Sequence, residues 1–135
     1  MSEIQINFIF KRKAMFLQLA HTKTNLFQAS KNFTLECYRI TKDFPSDERF
    51  AMVQQIRRAA LSVHLNIAEG CSRKSETERK RFFEISRGSV IEVDTALDIA
   101  NELNYKSKEQ LEELGEHLLS TFKQLTGLIS ARSSS

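Results

Sequence analysis

Apolar residues recur at intervals of three and four along most of this chain, the spacing of helices that bury one face. Leu26, Ser30, Phe33, Cys37, Ile40 and Phe44 trace such a stripe over a first helix at about 25–42. Pro45 ends it, because its ring and missing N–H do not fit a helix interior. Asp47 and Glu48 suit the positive end of a second helix. That helix is expected to run to about Glu69, with Gly70 as a left-handed cap. It carries two apolar stripes: Met52, Val53, Ile56, Ala60, Val63 and Ile67 on one side, and Phe50, Leu61, Leu65 and Ala68 on the other. Gln55, Arg58, Ser62, Asn66 and Glu69 form a polar row between them. A helix on the surface of a monomer usually shows one stripe, so two stripes predict cover on both sides, by the same chain or by another subunit.

A third helix is expected from Ser75, where Ser75 and Glu78 fit a capping box. Phe82, Ile85, Ser89, Val93, Ala96, Leu97, Ala100 and Leu103 are its predicted core face. Gly88 interrupts it at a cost of about 1 kcal/mol relative to Ala, which close approach of another backbone would compensate. A fourth helix is expected from Ser107, where Gln110 completes a second capping box. Leu111, Leu114, Leu118, Phe122, Leu125 and Ile129 form its stripe. Four helices with short connections predict an all-α fold, an antiparallel up-down-up-down four-helix bundle over residues 24–131. Residues 1–23 read as an N-terminal extension, either frayed or docked, with Met15 as an alternative start. Residues 132–135 read as a tail.

Composition narrows the class. The 135 residues suffice for one domain, and the 41% hydrophobic content supports a core. One Pro and four Gly argue against a turn-rich sandwich or barrel. Two cysteines, Cys37 and Cys71, cannot make a disulfide framework and suit a reducing compartment. No apolar run reaches the roughly 18 residues of a membrane span. The expected location is therefore cytoplasmic, without a membrane partner.

The net charge is only +3, but it is unevenly spread. Residues 57–87 carry eight basic and four acidic groups, and residues 88–135 carry four and eight. Folded as a bundle, one end collects Lys23, Arg73, Lys74, Arg79, Lys80, Arg81, Lys123 and Arg132, joined by Lys11, Arg12 and Lys13. The other end collects Asp94, Asp98, Glu102, Glu109, Glu112, Glu113 and Glu116. Arg79, Lys80 and Arg81 oppose the macrodipole near a helix N-terminus, an arrangement that local stability does not favour and phosphate binding would explain. Arg73, Lys74, Arg79, Lys80 and Arg81 are the candidate nucleic-acid contacts, through the backbone and with little sequence discrimination. Only Phe83 offers an aromatic surface near them, so base stacking has weak support.

Catalytic chemistry finds little footing. There is no Gly-rich phosphate loop, nucleophile elbow or metal-ligand spacing among Cys37, Cys71, His21, His64 and His117, and no cofactor is expected. Glu92 is expected half-buried with Arg58 or Asn66 as partner, and with Gln55, Ser62 and Glu69 it suits packing register or a subunit contact. Arg58 and His64 have a spacing similar to that in metal-independent ribonucleases of the HEPN type. On an ideal helix, however, six residues separate the side chains by about 120°.

The blocks FPSDERF and QIRRAALSVHLNIAEGCSRKSETERKRFFEISRGSVIEV, followed by Ala96, Leu97 and Ala100, resemble the four-helix bundle family encoded in 23S rRNA intervening sequences. The resemblance spans about residues 24–130. It rests on Gln55, Ile56, Arg57, Arg58, Ala59, Ser62, Val63, Asn66, Ile67, Ala68, Glu69, Gly70, Arg73, Ser75, Phe82, Gly88, Ser89 and Glu92. It implies a small homopentameric bundle without known catalytic activity. A related group, the accessory proteins of diversity-generating retroelements, forms basic pentamers that bind nucleic acid and a reverse transcriptase. The chain departs from the family in helix one, where NLFQASKNF lacks the usual Trp, and at His64, where proline is common.

The function expected is a non-enzymatic, homo-oligomeric, pentameric module that binds RNA or DNA phosphates through its basic end. A reverse-transcriptase-like protein is a further partner implied by the related group. The alternatives are a protein adaptor without nucleic-acid affinity and, as a minor reading, a metal-independent ribonuclease.

Overall fold

In the computed structural model, which describes residues 14–131, the Thr24 hydroxyl accepts the Phe27 N–H at 3.1 Å and starts the first helix. Four helices follow: α1 (Asn25–Ile40), α2 (Met52–Ser72), α3 (Glu76–Glu102) and α4 (Glu112–Ser130). Short 3₁₀ turns precede α1 (Ala20–Lys23) and α2 (Ser46–Glu48), and no strand occurs among the described residues. Lys11, Arg12, Lys13 and Arg132, placed at the basic end from sequence, lie outside the described residues.

Neighbouring helices run in opposite directions, as their contacts record. Between α1 and α2, Ser30 meets His64, Thr34 meets Ala60, and Tyr38 meets Arg57. Between α2 and α3, Gln55 meets Glu92, Ser62 meets Ser89, and Gly70 meets Phe83. Between α3 and α4, Arg87 meets Thr126 and Lys80 meets Ala131. In each set one number rises as the other falls. The α4 helix closes the ring by packing on α1.

The core is where these faces converge. Phe33, Cys37, Ile56, Val63, Ile67, Val93 and Leu125 are buried, and burial pushes the Cys37 thiol well above its ordinary range. Small hydroxyl residues let helices approach closely and satisfy themselves on a neighbour's backbone. Ser86 Oγ donates to the Val63 carbonyl at 2.8 Å, and Thr34 Oγ1, 2.8 Å from the Ser30 carbonyl of its own helix, also lies 3.0 Å from the Ala60 carbonyl.

Several boundaries differ from the sequence expectation. Asp47 and Glu48 sit in their own 3₁₀ turn, separated from α2 by Ala51, whose φ of −122° and ψ of −98° break the helix. Gly70 is not a left-handed cap, because α2 continues to Ser72 and no glycine has positive φ among the described residues. Its role is contact: a Cβ there would lie 2.8 Å from the Phe83 ring. The Ser107–Gln110 capping box forms with both reciprocal bonds, at 2.9 and 3.1 Å, yet regular α4 begins at Glu112. The core face of α3 agrees with the predicted one in part. Ser89, Val93, Leu97 and Ala100 are buried as expected and are joined by Phe83, Ser86 and Val90, whereas Phe82 and Ala96 are half-buried and Ile85 and Leu103 are exposed.

Candidate functional site

The predicted basic end is assembled by the antiparallel fold. The α2–α3 turn, the approach to α1 and the last turns of α4 meet there, since Ala20, Ser72, Arg79 and Leu128 border one cavity. Arg73, Lys74, Arg79, Lys80 and Arg81 all belong to this end; Lys74, Arg79 and Lys80 line one groove there, and Arg73 and Arg81 do not line it. Consecutive helical residues point about 100° apart, and the three α3 cations have different surroundings. Arg79 borders the cavity. Lys80 is 3.1 Å from Glu76 and donates to the Ala131 carbonyl. Arg81 is exposed, on the helical row of Ile85, Gly88 and Glu92. Arg73 is ion-paired with Glu69 and stacks over the Phe82 ring, 4.9 Å from its centroid. Lys74, Arg79 and Arg81 have no side-chain hydrogen bond or ion pair among the described residues. Phe83 is only 4% exposed, at the edge of the cavity, which is too little for a base to stack on.

The acidic groups of α3 and α4 share the other end. Asp94 and Asp98 line a groove with Lys108, and that end also holds the buried Lys106 paired with Asp43. The polarity is therefore tempered by lysines from the α3–α4 connection.

The polar row lies along the α2–α3 seam. Gln55 donates to Glu92, which is exposed rather than half-buried and has Gln55 rather than Arg58 or Asn66 as partner. Ser89 donates to Ser62 at 3.1 Å, and Asn66 donates to the Ser62 carbonyl at 2.8 Å. Glu69 turns to Arg73. Arg58 is exposed and has no side-chain partner among the described residues. Beside this row the second apolar stripe of α2 is largely uncovered among the described residues. Leu65 is 57% exposed and Leu61 is exposed, Ala68 is half-buried, and Phe50, also exposed, falls before the helix begins at Met52. On α3, Ile85 and Ile99 are also exposed, and a Cβ on Gly88 would meet nothing within 4 Å. Among the described residues no other backbone closes on Gly88.

His64 has a structural partner. Ser30 Oγ donates to the Phe27 carbonyl at 3.0 Å and lies 2.7 Å from His64 Nδ1. This contact ties the imidazole to α1 through Nδ1. The imidazole packs on the Phe27 ring at 4.4 Å. Burial, and then the nearby Lys31 and His21, lower its pKa to about 4. Arg57 is held on α1: Nε donates to Thr41 Oγ1 at 2.9 Å and Nη2 to the Tyr38 carbonyl at 3.3 Å. Neither arrangement is poised for proton transfer to a bound phosphate. Among the described residues no group of three or more His, Cys, Asp or Glu is placed to hold a metal ion. Nor is any helix there long and apolar enough to cross a membrane.

Sequence reasoning missed the Thr24 cap, the Lys106–Asp43 pair and the cavity. The first had a signal, Thr24 just before an apolar periodic run. The other two depend on which loops and helix ends the fold brings together.

This four-helix architecture is shared with a known family. The family model of the 23S rRNA-intervening sequence protein matches residues 22–127, and the chain belongs to that family. A crystal structure from Bacteroides thetaiotaomicron, of a protein of unknown function from the S23 ribosomal protein family, has a similar fold. Its TM-score is 0.70 at 21% identity, covering 78% of this chain and 99% of that one. Among curated proteins none matches.

Proposed function

We propose that the protein is a non-enzymatic, homo-oligomeric helical module that contacts nucleic-acid phosphates with the basic ends of its bundles. The carrying observation is that Lys74, Arg79 and Arg81 stand at one end without side-chain partners among the described residues. Cations left unpaired on a folded surface are free to displace the counterions of a phosphate backbone, which makes such binding strong at low salt and insensitive to sequence. Self-association is supported by the uncovered apolar surface of Leu61, Leu65, Ile85 and Ile99 beside the unpaired Arg58. Five subunits is the number implied by the family resemblance.

Fluorescence anisotropy with a labelled RNA duplex, together with sedimentation velocity, tests both halves. The duplex should bind at about 50 mM salt and weaken steeply as salt rises. Arg79→Glu with Lys74→Glu should abolish binding and leave the oligomer intact. Absence of binding at low salt removes the nucleic-acid reading, and an oligomer without it leaves the adaptor reading. A monomer removes the self-association.

A further inference from the structure

A cavity of about 730 Å³ opens at the basic end, walled by Leu26 of α1, Cys71 of α2, Phe83 of α3 and Leu128 of α4. Leu19 and His21 flank it from the approach to α1. Its volume falls within the roughly 300–1,000 Å³ of small-molecule sites, which in bundles lie between helices. The walls are largely hydrocarbon, and most of their polar groups are engaged inside the protein. Thr24 donates to the His21 carbonyl at 2.7 Å, Ser72 to the Glu69 carbonyl at 2.7 Å, and Gln124 to Ser120 at 3.1 Å. Burial raises the Cys71 thiol and lowers the His21 imidazole, so both wall groups are neutral near pH 7.

One charged residue lines this cavity among the described residues, Arg79. Its guanidinium has no side-chain partner there. A second groove shares Arg79, Phe83 and Leu128 and adds Lys74, and the Glu76 within it is ion-paired with Lys80. An apolar chamber with a single unpaired cation at its edge matches a molecule that is apolar along its length and anionic at one end. A planar carboxylate suits the guanidinium fork, which can bind it through two parallel hydrogen bonds.

We propose that this cavity binds a single-chain amphiphile with a carboxylate head, its alkyl chain against the exposed Leu19 and Leu128 with the nearly buried Leu26 and Phe83 behind them, and its head on Arg79. Such binding requires neither the oligomer nor nucleic acid.

Gly127 provides the decisive variant. It lines the cavity, and a Cβ added to it meets nothing within 4 Å. Gly127→Leu therefore introduces a side chain where the ligand would lie while replacing a poor helix former with a good one. Titration calorimetry with dodecanoate below its micelle concentration should give one site per chain. Arg79→Gln should weaken it by about tenfold, the loss of a charge-assisted contact. Gly127→Leu should weaken it further while circular dichroism and the thermal midpoint are retained. Acetate, which has the head without the chain, should not bind. No heat with the wild-type chain overturns the proposal, as does equal binding by Gly127→Leu. Acetate binding as tightly as dodecanoate also overturns it. If dodecanoate fails to bind and Gly127→Leu alters the sedimentation coefficient, the occupant is a second copy of the chain and the amphiphile is excluded.

Discussion

Lys106 and Asp43 join the two connections at the acidic end of the bundle, with Lys106 Nζ 2.6 Å from Asp43 Oδ1. The lysine side chain is only 8% exposed, while the aspartate is 70% exposed. The pair thus satisfies a charge that the fold has already taken from water. Asp43→Asn should leave that ammonium poorly paired and lower stability by about 1–2 kcal/mol, read as a reduced urea midpoint at unchanged slope. The Lys106 hydrogen bond holds the Asp43 carboxyl below its ordinary range. Its contribution is therefore complete above the usual carboxylate pKa and disappears as pH falls through the lowered folded value. The variant should lack that part of the acid transition.

Gly70 and Gly88 should respond oppositely to alanine. A Cβ at Gly70 would be 2.8 Å from buried Phe83 and 3.2 Å from the Arg79 carbonyl. Overpacking should outweigh the gain in helix propensity, giving a net loss of about 1–2 kcal/mol. A Cβ at Gly88 meets open space among the described residues. Gly88→Ala should therefore stabilise the isolated subunit by about 1 kcal/mol. Denaturation at low protein concentration measures both. If a second copy closes on Gly88, the same variant should also weaken the oligomer in sedimentation velocity.

His64 should titrate far below an ordinary histidine. Its folded pKa is lowered to about 4, and His21 is lowered as well. Between the folded value and the ordinary value near 6.5, the unfolded chain binds protons that the native protein does not. Stability should consequently be full above about pH 6.5 and fall as pH drops toward 4. His64→Gln should flatten most of that slope. Imidazole chemical shifts give the direct check, and a His64 midpoint near 6.5 contradicts the buried, Ser30-bonded ring.

Arg57→Lys should destabilise by about 1 kcal/mol, because a lysine cannot serve Thr41 Oγ1 and the Tyr38 carbonyl together while lying over the Tyr38 ring. The thermal midpoint is the readout. Affinity for an RNA duplex should be unchanged, since this side chain is tied to α1 on the flank of the bundle.

The α1 stripe was legible: Leu26, Ser30, Phe33, Cys37, Ile40 and, just past the helix, Phe44 are all buried, though Phe27, Ala29 and Thr34 widen the buried face beyond it. The α3 face was legible only in part, because apolar residues lie on two adjoining arcs of that helix. Which arc is buried depends on where α2 and α4 dock, and the arc with Ile85, Ile99 and Leu103 is left outside. The candidate cations were identifiable as a cluster in sequence. Their separation into Arg79 at a cavity, Lys80 on Glu76 and Arg81 on an outer row follows from helical rotation. Gly70 carried a plausible capping signal, but the contact with Phe83 joins residues on two helices.

The α2 backbone is gripped from both flanks one turn apart, by Thr34 at the Ala60 carbonyl and by Ser86 at the Val63 carbonyl. Adding or deleting a residue between those two acceptors would rotate one anchoring point away from its hydroxyl whatever the rest of the chain did. Engineered insertions, reporter tags or circular breaks therefore belong in the connection at 49–51, where helix geometry is already interrupted.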